Sequence, residues 1–299
     1  MADSDFSGPP SLTLPRKGGG NLATSAPAHG EIFAGNRAVG NIALAVKASS
    51  DGSHRQRVRE QGSLRVRFPN GARRDTLEAV MVNTAGGMTG GDRFDIDIAV
   101  GAGARLSVIT AAAEKVYRSL GPATEIDVKL SVGSGGALIW LPQETILFDR
   151  ARLHRGITAD LAPDANLLLA EAVVFGRSAM GEAVTQGHFF DRWRVRVGGA
   201  LVFAESLRLD GAIADKLARR AIASGGVAVA SVLKIPGNDA DVAAIRAGDH
   251  DFAGETGASA WNGIMLARLV APDGATLRRD FIAALTALGH VPLPRLWLN

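Results

Sequence analysis

The clearest structural pattern in the chain is Arg93-Phe94-Asp95-Ile96-Asp97-Ile98-Ala99-Val100-Gly101-Ala102-Gly103-Ala104. Apolar side chains alternate with charged or small ones up to residue 100, and a glycine-rich turn follows. Such alternation places one face of a strand on a core and leaves the other face in water. The same period of two recurs in residues 125–130 and 192–197. We therefore expect strands of antiparallel type, each with one solvated face.

Similar turns follow several of these strands, at steps of about 30 to 35 residues. They span Val100–Ala104, Val132–Ala137, Ala162–Ala165 and Val197–Ala200. A period of this length is typical of one structural unit stacked on its neighbours, which predicts a β-solenoid or layered β-sheets. Chance recurrence of hairpins in an all-β protein is the alternative.

Apolar runs without alternation predict strands that are covered on both faces. These runs are Ala137–Leu141, Leu167–Ala170 and Ala172–Phe175. Further strands are expected at Val227–Ile235 and Trp261–Val270.

Helical spacing occurs only in the last third of the chain. It predicts helices at Ile213–Ala221, around Val242 and Ile245 with Asn238 or Asp239 as N-cap, and at Leu277–Leu288 before Gly289. The expected fold is thus mainly β, with layered or solenoid-like sheets and two or three short α-helices in the C-terminal third.

Composition sets the broad class of protein. The 299 residues include no cysteine, which excludes disulfides, thiolate nucleophiles and cysteine-based metal sites and favours a reducing, cytoplasmic location. Residues 1–30 are rich in Gly, Pro, Ser and Ala and predict a disordered tail without an export signal. Residues 31–299 are expected to form a single domain. No apolar run reaches the roughly 18 to 20 residues of a membrane helix.

A basic stretch, Ser49–Gln61, allows two interpretations. A solvated loop or a charged edge strand accounts for it simply. The alternative is a nucleic-acid contact, but the stretch carries no interleaved aromatic residue and the net charge of the whole chain is only +3. We therefore expect no nucleic-acid partner and, from hydropathy, no membrane.

The sequence contains no recognisable catalytic constellation. The glycine cluster Ala85–Asp92 lies between two predicted strands and has no lysine, so it does not match a phosphate-binding loop. The six histidines show no short spacing typical of a preformed zinc or nickel site. Glu171 interrupts an apolar strand, which is costly unless the carboxylate is paired or hydrated. It either forms a salt bridge with a nearby arginine or lines a water-filled passage.

Five segments occur in a characteristic order: Asn83–Asp92, Ala113–Arg118, Leu141–Asp149, Phe175–Arg177 with Gly181-Glu182, and Pro294–Trp297. Together they closely resemble the motif series of the urease accessory protein UreD family, also called UreH. The resemblance runs from about residue 31 to the C-terminus and leaves out the tail. The chain departs from the family at Thr84-Ala85, where a proline commonly precedes the paired glycines.

The resemblance implies a maturation factor that is not an enzyme. Members of this family are mostly β-stranded, act with the accessory proteins UreF and UreG, and bind apo-urease so that nickel reaches its buried active site. It also implies that no cofactor is tightly bound, that contact with nickel is transient, and that no high-affinity metal site is needed.

A protein that passes an ion onward needs sites that the ion can enter and also leave, as in channels. Scattered carboxylates along a polar passage meet this need. Our candidates for passage or interface residues are Asp92, Glu144, Asp149, Glu171, Glu182 and Glu205. Candidates for passage walls or partner contacts are Lys115, Tyr117, Arg118 and Arg177, and the glycine-loop motif comprises Gly86, Gly87, Gly90 and Gly91. A salt bridge or a strand-end cap is the simpler role for any one of these carboxylates.

Two other functions remain open. A solenoid with paired carboxylates could process carbohydrates, although such grooves usually carry aromatic platforms and the chain has only one tyrosine and four tryptophans. A nucleic-acid module based on the arginines of residues 49–74 is the other.

Overall fold

The structure, a computed structural model, describes residues 37–69, 75–177, 180–248, 252–289 and 292–298. The predicted tail of residues 1–30 lies outside the described residues, so the tail and the single domain from residue 31 stay predictions. Most of the described residues belong to strands, as expected for a mainly β fold.

In chain order the strands are β1 (Val39–Ser49), β2 (Gly52–Gly62), β3 (Leu64–Arg67), β4 (Leu77–Asn83), β5 (Arg93–Val100), β6 (Arg105–Thr110), β7 (Glu114–Val116), β8 (Thr124–Val132), β9 (Ala137–Trp140), β10 (Thr145–Leu147), β11 (Arg152–Leu161), β12 (Asn166–Phe175), β13 (Gln186–Val197), β14 (Ala200–Ala212), β15 (Ala228–Ile235), β16 (Glu255–Trp261) and β17 (Ile264–Ala271). The helices are α1 (Ile213–Leu217), α2 (Asp239–Ala247) and α3 (Gly274–Ala287), and a 3₁₀ turn spans Arg295–Trp297.

The first sheet has the strand order β14-β13-β11-β8-β5-β1-β2. Its central strands, from β13 to β1, run parallel to their neighbours, whereas the outer pairs β1–β2 and β13–β14 are antiparallel. The prediction of antiparallel strands was therefore wrong for the centre of this sheet. Alternation indicates that one face of a strand is wet, but it carries no information on the direction of the neighbouring strand.

The second sheet has the strand order β16-β17-β15-β12-β9-β6-β4-β3. Its strand β12 is buried on both faces, as the apolar runs predicted. Leu169 and Val173 pack in the core between the two sheets, while Leu168 and Val174 pack in a second core that includes the buried faces of α2 and α3. Glu171 has the parity of Leu169 and Val173, so it points into the core between the sheets.

The predicted turn repeats stack as coils of a solenoid. Gly133 N donates to Val100 O at 2.8 Å, and Ala162 N donates to Val132 O at 2.8 Å, so each turn sits on the previous one. The last turn differs because Val197–Ala200 leads into β14, which folds back antiparallel on β13 as a hairpin. The solenoid-like fold is confirmed, and the hairpin closes it.

The C-terminal helices match the sequence in part. Asn238 caps α2 as predicted, with its Oδ1 accepting from Ala240 N at 2.9 Å. Helix α1 ends at Leu217, four residues before the predicted end, and is followed by turns. Helices this short are held by tertiary burial rather than by propensity. The predicted strand Trp261–Val270 is instead split between β16 and β17 by a turn at Asn262 and Gly263, where φ is 47° and 77°.

The basic stretch forms the edge of the first sheet. Strand β2 pairs with β1 and is exposed along most of its length, so the edge-strand interpretation of this stretch is confirmed. Charged side chains on an edge strand discourage pairing with another chain. Within the described residues, no helix has both the length and the apolar character needed to cross a membrane.

Candidate functional site

Four of the five sequence motifs meet at one corner of the solenoid. Met88 pairs with Val116 of β7, β7 runs parallel to β10, and β10 runs parallel to the end of β12. We define the motif corner as this set of paired strands together with the loop Thr84–Asp92 and the segment that follows β12. Segments far apart in the sequence thus form one continuous surface.

The glycine loop is shaped by close packing against the segment after β7. A methyl group added at Gly90 would lie 1.8 Å from Ser119 Oγ, and one added at Gly87 would lie 2.4 Å from the Tyr117 ring. Gly86, Gly87 and Gly91 have φ of 74°, 152° and 91°, which residues other than glycine rarely adopt. The glycine motif therefore sets the shape of the motif corner.

Asp92 closes this loop. Its Oδ2 accepts from Thr89 N at 2.8 Å, and its Oδ1 accepts from Ala38 N at 2.9 Å. The carboxylate is buried, and both of its oxygens accept from backbone N–H groups. Its geometry favours the strand-end cap over a passage role.

Asp149, on the other side of the motif corner, likewise accepts hydrogen bonds from backbone N–H groups. Its Oδ1 accepts from Thr185 N at 2.8 Å, Thr185 Oγ1 at 2.9 Å and Gln186 N at 3.1 Å. Burial opposes ionisation, but the hydrogen bonds and the nearby Arg150 outweigh it and hold the pKa of the Asp149 carboxyl below its usual value. The ionised carboxylate thus fastens the start of β13 to the corner.

We expect Asp149→Ala to lower the free energy of unfolding at pH 7 by about 1 to 3 kcal/mol. The folded-state pKa is depressed, so the stabilisation is full above the unfolded pKa of about 3.9 and is lost as the pH falls through the folded pKa. The difference in the free energy of unfolding between wild type and variant should stay constant from pH 7 to pH 5 and become smaller below pH 4. Urea unfolding at these pH values measures it, with exposed Asp160→Ala as the control, and a gap unaffected by acid would contradict the assignment.

The exposed side of the corner carries a row of aromatic and charged groups. The Tyr117 ring stands edge-on to Phe148 at 4.9 Å, and the Arg177 guanidinium lies 4.0 Å from the Phe148 ring centre. Arg177 Nε donates to Glu182 Oε2 at 2.6 Å. Side chains of Lys115 and Arg118 are exposed beside them. This arrangement suits a contact surface rather than an interior passage.

Glu144 joins the third motif to the fifth. Its two oxygens accept from Arg278 Nη1 at 2.9 and 3.1 Å, and Arg278 Nη2 donates to Trp297 O at 3.1 Å. The Trp297 indole also contacts the third motif, because its Nε1 donates a hydrogen bond to Leu141 O at 3.1 Å. Glu144 thus anchors the C-terminus, which accounts for its burial.

A cluster of charges lies buried between the two sheets. Arg155 forms a salt bridge with Glu171 and a two-pronged one with Asp191, in which Nε–Oδ1 is 3.0 Å and Nη2–Oδ2 is 2.6 Å. Two indoles complete it, since Trp140 Nε1 donates to Glu171 at 2.8 Å and Trp193 Nε1 donates to Asp191 at 3.2 Å. We call Glu171, Arg155 and Asp191 the interior cluster. The salt-bridge interpretation of Glu171 is confirmed, and the same side chain also borders a cavity, so the two interpretations given for it are compatible.

The interior cluster holds one positive and two negative groups. Burial raises the pKa of the Glu171 carboxyl, Arg155 opposes this and Asp191 adds to it. Burial also opposes the charge on Arg155, but the two carboxylates outweigh it and raise the pKa of the guanidinium. Burial therefore disfavours a second negative charge in the cluster, and a cation in an adjacent cavity would offset that cost and favour ionisation of both carboxylates.

A cavity opens on each side of the cluster. The first, of about 60 Å³, lies between the sheets and is bordered by Arg155, Glu171 and Glu114. The second, of about 150 Å³, is bordered by Asp191 and Glu205. Burial raises the pKa of the Glu114 carboxyl, although the hydrogen bond from Asn83 opposes it.

Glu205 and Arg268 both border the second cavity and form an ion pair, with Arg268 Nη2 2.7 Å from Glu205 Oε1. Of the six predicted carboxylates, the structure brings Glu171 and Glu205 to the interior cavities and leaves the other four outside them.

Sequence reasoning missed several members of this interior. Arg155 falls in phase with buried Leu153 on β11, and Asp191 falls in phase with buried Trp193 on β13. A charge on the apolar phase of an alternating strand is a signal of a buried ionic partner, and it could have identified both residues. Glu114 belonged to a quoted motif, but nothing in its local pattern marked it as a cavity residue.

Among the described residues, no group of three or more His, Asp or Glu side chains is arranged to hold a metal ion. The interior cluster combines carboxylates with an arginine, and such a combination suits brief electrostatic contact with a cation better than stable coordination.

Comparison with known proteins agrees with the motif series. The family model described as UreD urease accessory protein matches residues 38–298. A urease accessory protein UreD of Rhodopseudomonas palustris strain HaA2 is 54% identical over 277 residues, which cover 93% of this chain and 99% of the relative. A UreD protein of Bradyrhizobium diazoefficiens is 54% identical over 268 residues, covering 90% and 96%, respectively. The match takes in all five motifs and the interior cluster, and the chain therefore belongs to the UreD family of urease accessory proteins.

Proposed function

We propose that this chain is a urease maturation factor that binds apo-urease and, with UreF and UreG homologues, admits nickel to the urease active site without itself being an enzyme. The observation that carries the proposal is the interior cluster with a cavity on either side. Membership of a family of urease accessory proteins supports the connection with urease.

The interior cluster suits passage of a divalent cation. Its carboxylates attract a cation, while Arg155 offsets one of them and keeps the attraction moderate. Moderate binding is what a relay requires, because an ion that is held too tightly does not leave. Glu114 also borders the first cavity and Glu205 borders the second, so each cavity has a further carboxylate besides those of the interior cluster.

The motif corner supplies a surface for the protein partners in this proposal. Tyr117, Arg177 and the neighbouring cations combine an aromatic anchor with charge, a composition enriched at protein interfaces. Lys115 and Arg118 have exposed side chains there and so are available for contact.

Nickel delivery is tested with Glu171→Gln. This change removes one charge at nearly constant shape and leaves Arg155 paired with Asp191. In cells grown on limiting nickel, we expect urease that contains several-fold less nickel while the accessory complex still assembles. The matched control is Asp160→Asn, which removes one charge from an exposed carboxylate near Arg196 Nη1 at 3.9 Å.

Equal nickel content in both variants and wild type would reject the interior cluster as a passage. Complex assembly is followed separately, by asking whether the chain retains apo-urease only when its UreF homologue is present. Retention without that homologue, or no retention at all, would contradict the proposed partnership.

A further inference from the structure

A pair of histidines lies on the outer face of the first sheet, away from the interior cluster. His154 on β11 and His188 on β13 face each other with their Nε2 atoms 2.7 Å apart. Their other ring nitrogens each meet a carboxylate: His154 Nδ1 lies 2.9 Å from Glu125 Oε1, and His188 Nδ1 lies 3.0 Å from Asp210 Oδ1. The four side chains form one continuous row across β8, β11, β13 and β14.

The carboxylates dictate where the imidazole protons lie. An ionised carboxylate only accepts hydrogen bonds, so both Nδ1 atoms must donate. Each neutral imidazole has one N–H, which leaves an Nε2 lone pair on each ring, and the two Nε2 atoms lie 2.7 Å apart. Two lone pairs this close repel each other unless the rings share a proton or a metal ion.

We propose that His154 and His188 form a binding site for a divalent transition-metal ion of the nickel class. Without metal, a single shared proton joins the two Nε2 atoms. When the ion binds, both Nε2 lone pairs coordinate it, the proton leaves to solvent, and water completes the coordination shell. The carboxylates orient the rings, as they commonly do for histidine ligands.

The spacing also suits two ligands of one metal ion. With metal–nitrogen bonds of about 2.0 to 2.1 Å, two ligands at a right angle lie about 2.9 Å apart, whereas a tetrahedral pair lies about 3.3 Å apart. The observed 2.7 Å is close to the right-angled arrangement. Octahedral or square-planar Ni²⁺ therefore fits with small ring movements, and imidazole is a ligand suited to nickel, copper and zinc but not to Mg²⁺.

The surroundings permit access. The His154 side chain is 38% exposed and the His188 side chain 10% exposed, so an ion reaches the pair from the His154 side. Arg208 lies beyond Asp210, with its Nη2 3.4 Å from Asp210 Oδ2, and so opposes cation binding weakly. With only two protein ligands, the site is weaker than a three- or four-ligand centre.

The site stands independently of the proposed passage, because it lies on the opposite face of the sheet and its test needs no urease. The untagged full chain is titrated with NiCl₂ by calorimetry in two buffers of different ionisation enthalpy. We expect saturable binding with release of about one proton per ion, and weaker binding at lower pH. His154→Gln and His188→Gln should each weaken binding at least tenfold.

His54→Gln is the matched control. His54 also pairs with a carboxylate, with Nε2 2.8 Å from Asp51 Oδ1, but it lies on the edge strand β2. This variant should bind Ni²⁺ as wild type does, and thermal unfolding in EDTA checks that all three variants fold. Wild-type affinity in both His154→Gln and His188→Gln, equal affinity of wild type for Mg²⁺, or binding without proton release would each overturn the proposal.

Discussion

Replacing Arg155 by methionine is expected to lower the free energy of unfolding by about 3 to 5 kcal/mol, because it leaves Glu171 and Asp191 buried without their counter-charge. Methionine is similar in length to the apolar stem of arginine, so little volume is lost. The effect comes mainly from two carboxylates whose side chains are only 5% and 10% exposed. Urea unfolding measures it as a lower midpoint.

Two further variants test this explanation. Adding Glu171→Gln and Asp191→Asn to Arg155→Met removes the unpaired charges and should restore much of the loss. Arg152→Met changes an exposed arginine on the same strand and should shift stability by less than about 0.5 kcal/mol. If Arg155→Met alone proves equally mild, the carboxylates do not depend on Arg155 and the account of the interior cluster is wrong.

Trp297→Ala is expected to lower the free energy of unfolding by about 3 to 5 kcal/mol, although the residue lies near the end of the chain. The indole is fully buried, packs on the Phe281 ring at a centroid distance of 5.3 Å, and lies beneath the Arg278 guanidinium at 4.8 Å. Its loss leaves a cavity against α3 and removes a hydrogen bond to Leu141 O. Thermal and urea unfolding of the full chain measure the cost.

The neighbouring residue provides the control. Leu298 is 64% exposed, and Leu298→Ala should change stability by less than about 0.5 kcal/mol. Trp297→Phe keeps much of the apolar bulk and should cost less than Trp297→Ala. A Trp297→Ala variant as stable as Leu298→Ala would show that the C-terminal segment does not anchor the third motif.

Much of the fold was predictable because it depends on local patterns. Alternation in residues 93–100 indicated a strand with one solvent-exposed face, and the uniform apolar run of β12 indicated a strand buried on both faces. The regular spacing of the glycine turns indicated the coils of the solenoid. Strand direction and the early end of α1 were not predictable in this way. Both depend on which neighbours a segment packs against, and local periodicity does not specify them.

The candidate site was predictable only in part. Glu171 was singled out because a charge in an apolar strand is conspicuous, and it proved to be paired with Arg155. Asp92 and Asp149 looked similar in the sequence, yet each is held by backbone N–H groups and stabilises a turn. A carboxylate's role depends on its partners, which a list of acidic residues does not contain.

Residue type and spacing were enough to establish which faces of the strands are apolar, where the turns fall and to which family the chain belongs. Which charges meet was settled by the register between coils. Arg155 meets Asp191, 36 residues away, because the parallel register of β11 and β13 pairs the two positions, and it meets Glu171, 16 residues away, across the core from the other sheet. His154 meets His188, 34 residues away, which lies two residues before its register partner Phe190 on β13. An alternating pattern repeats every two residues and fits any even shift of register equally well, so the packing of complete coils had to select one.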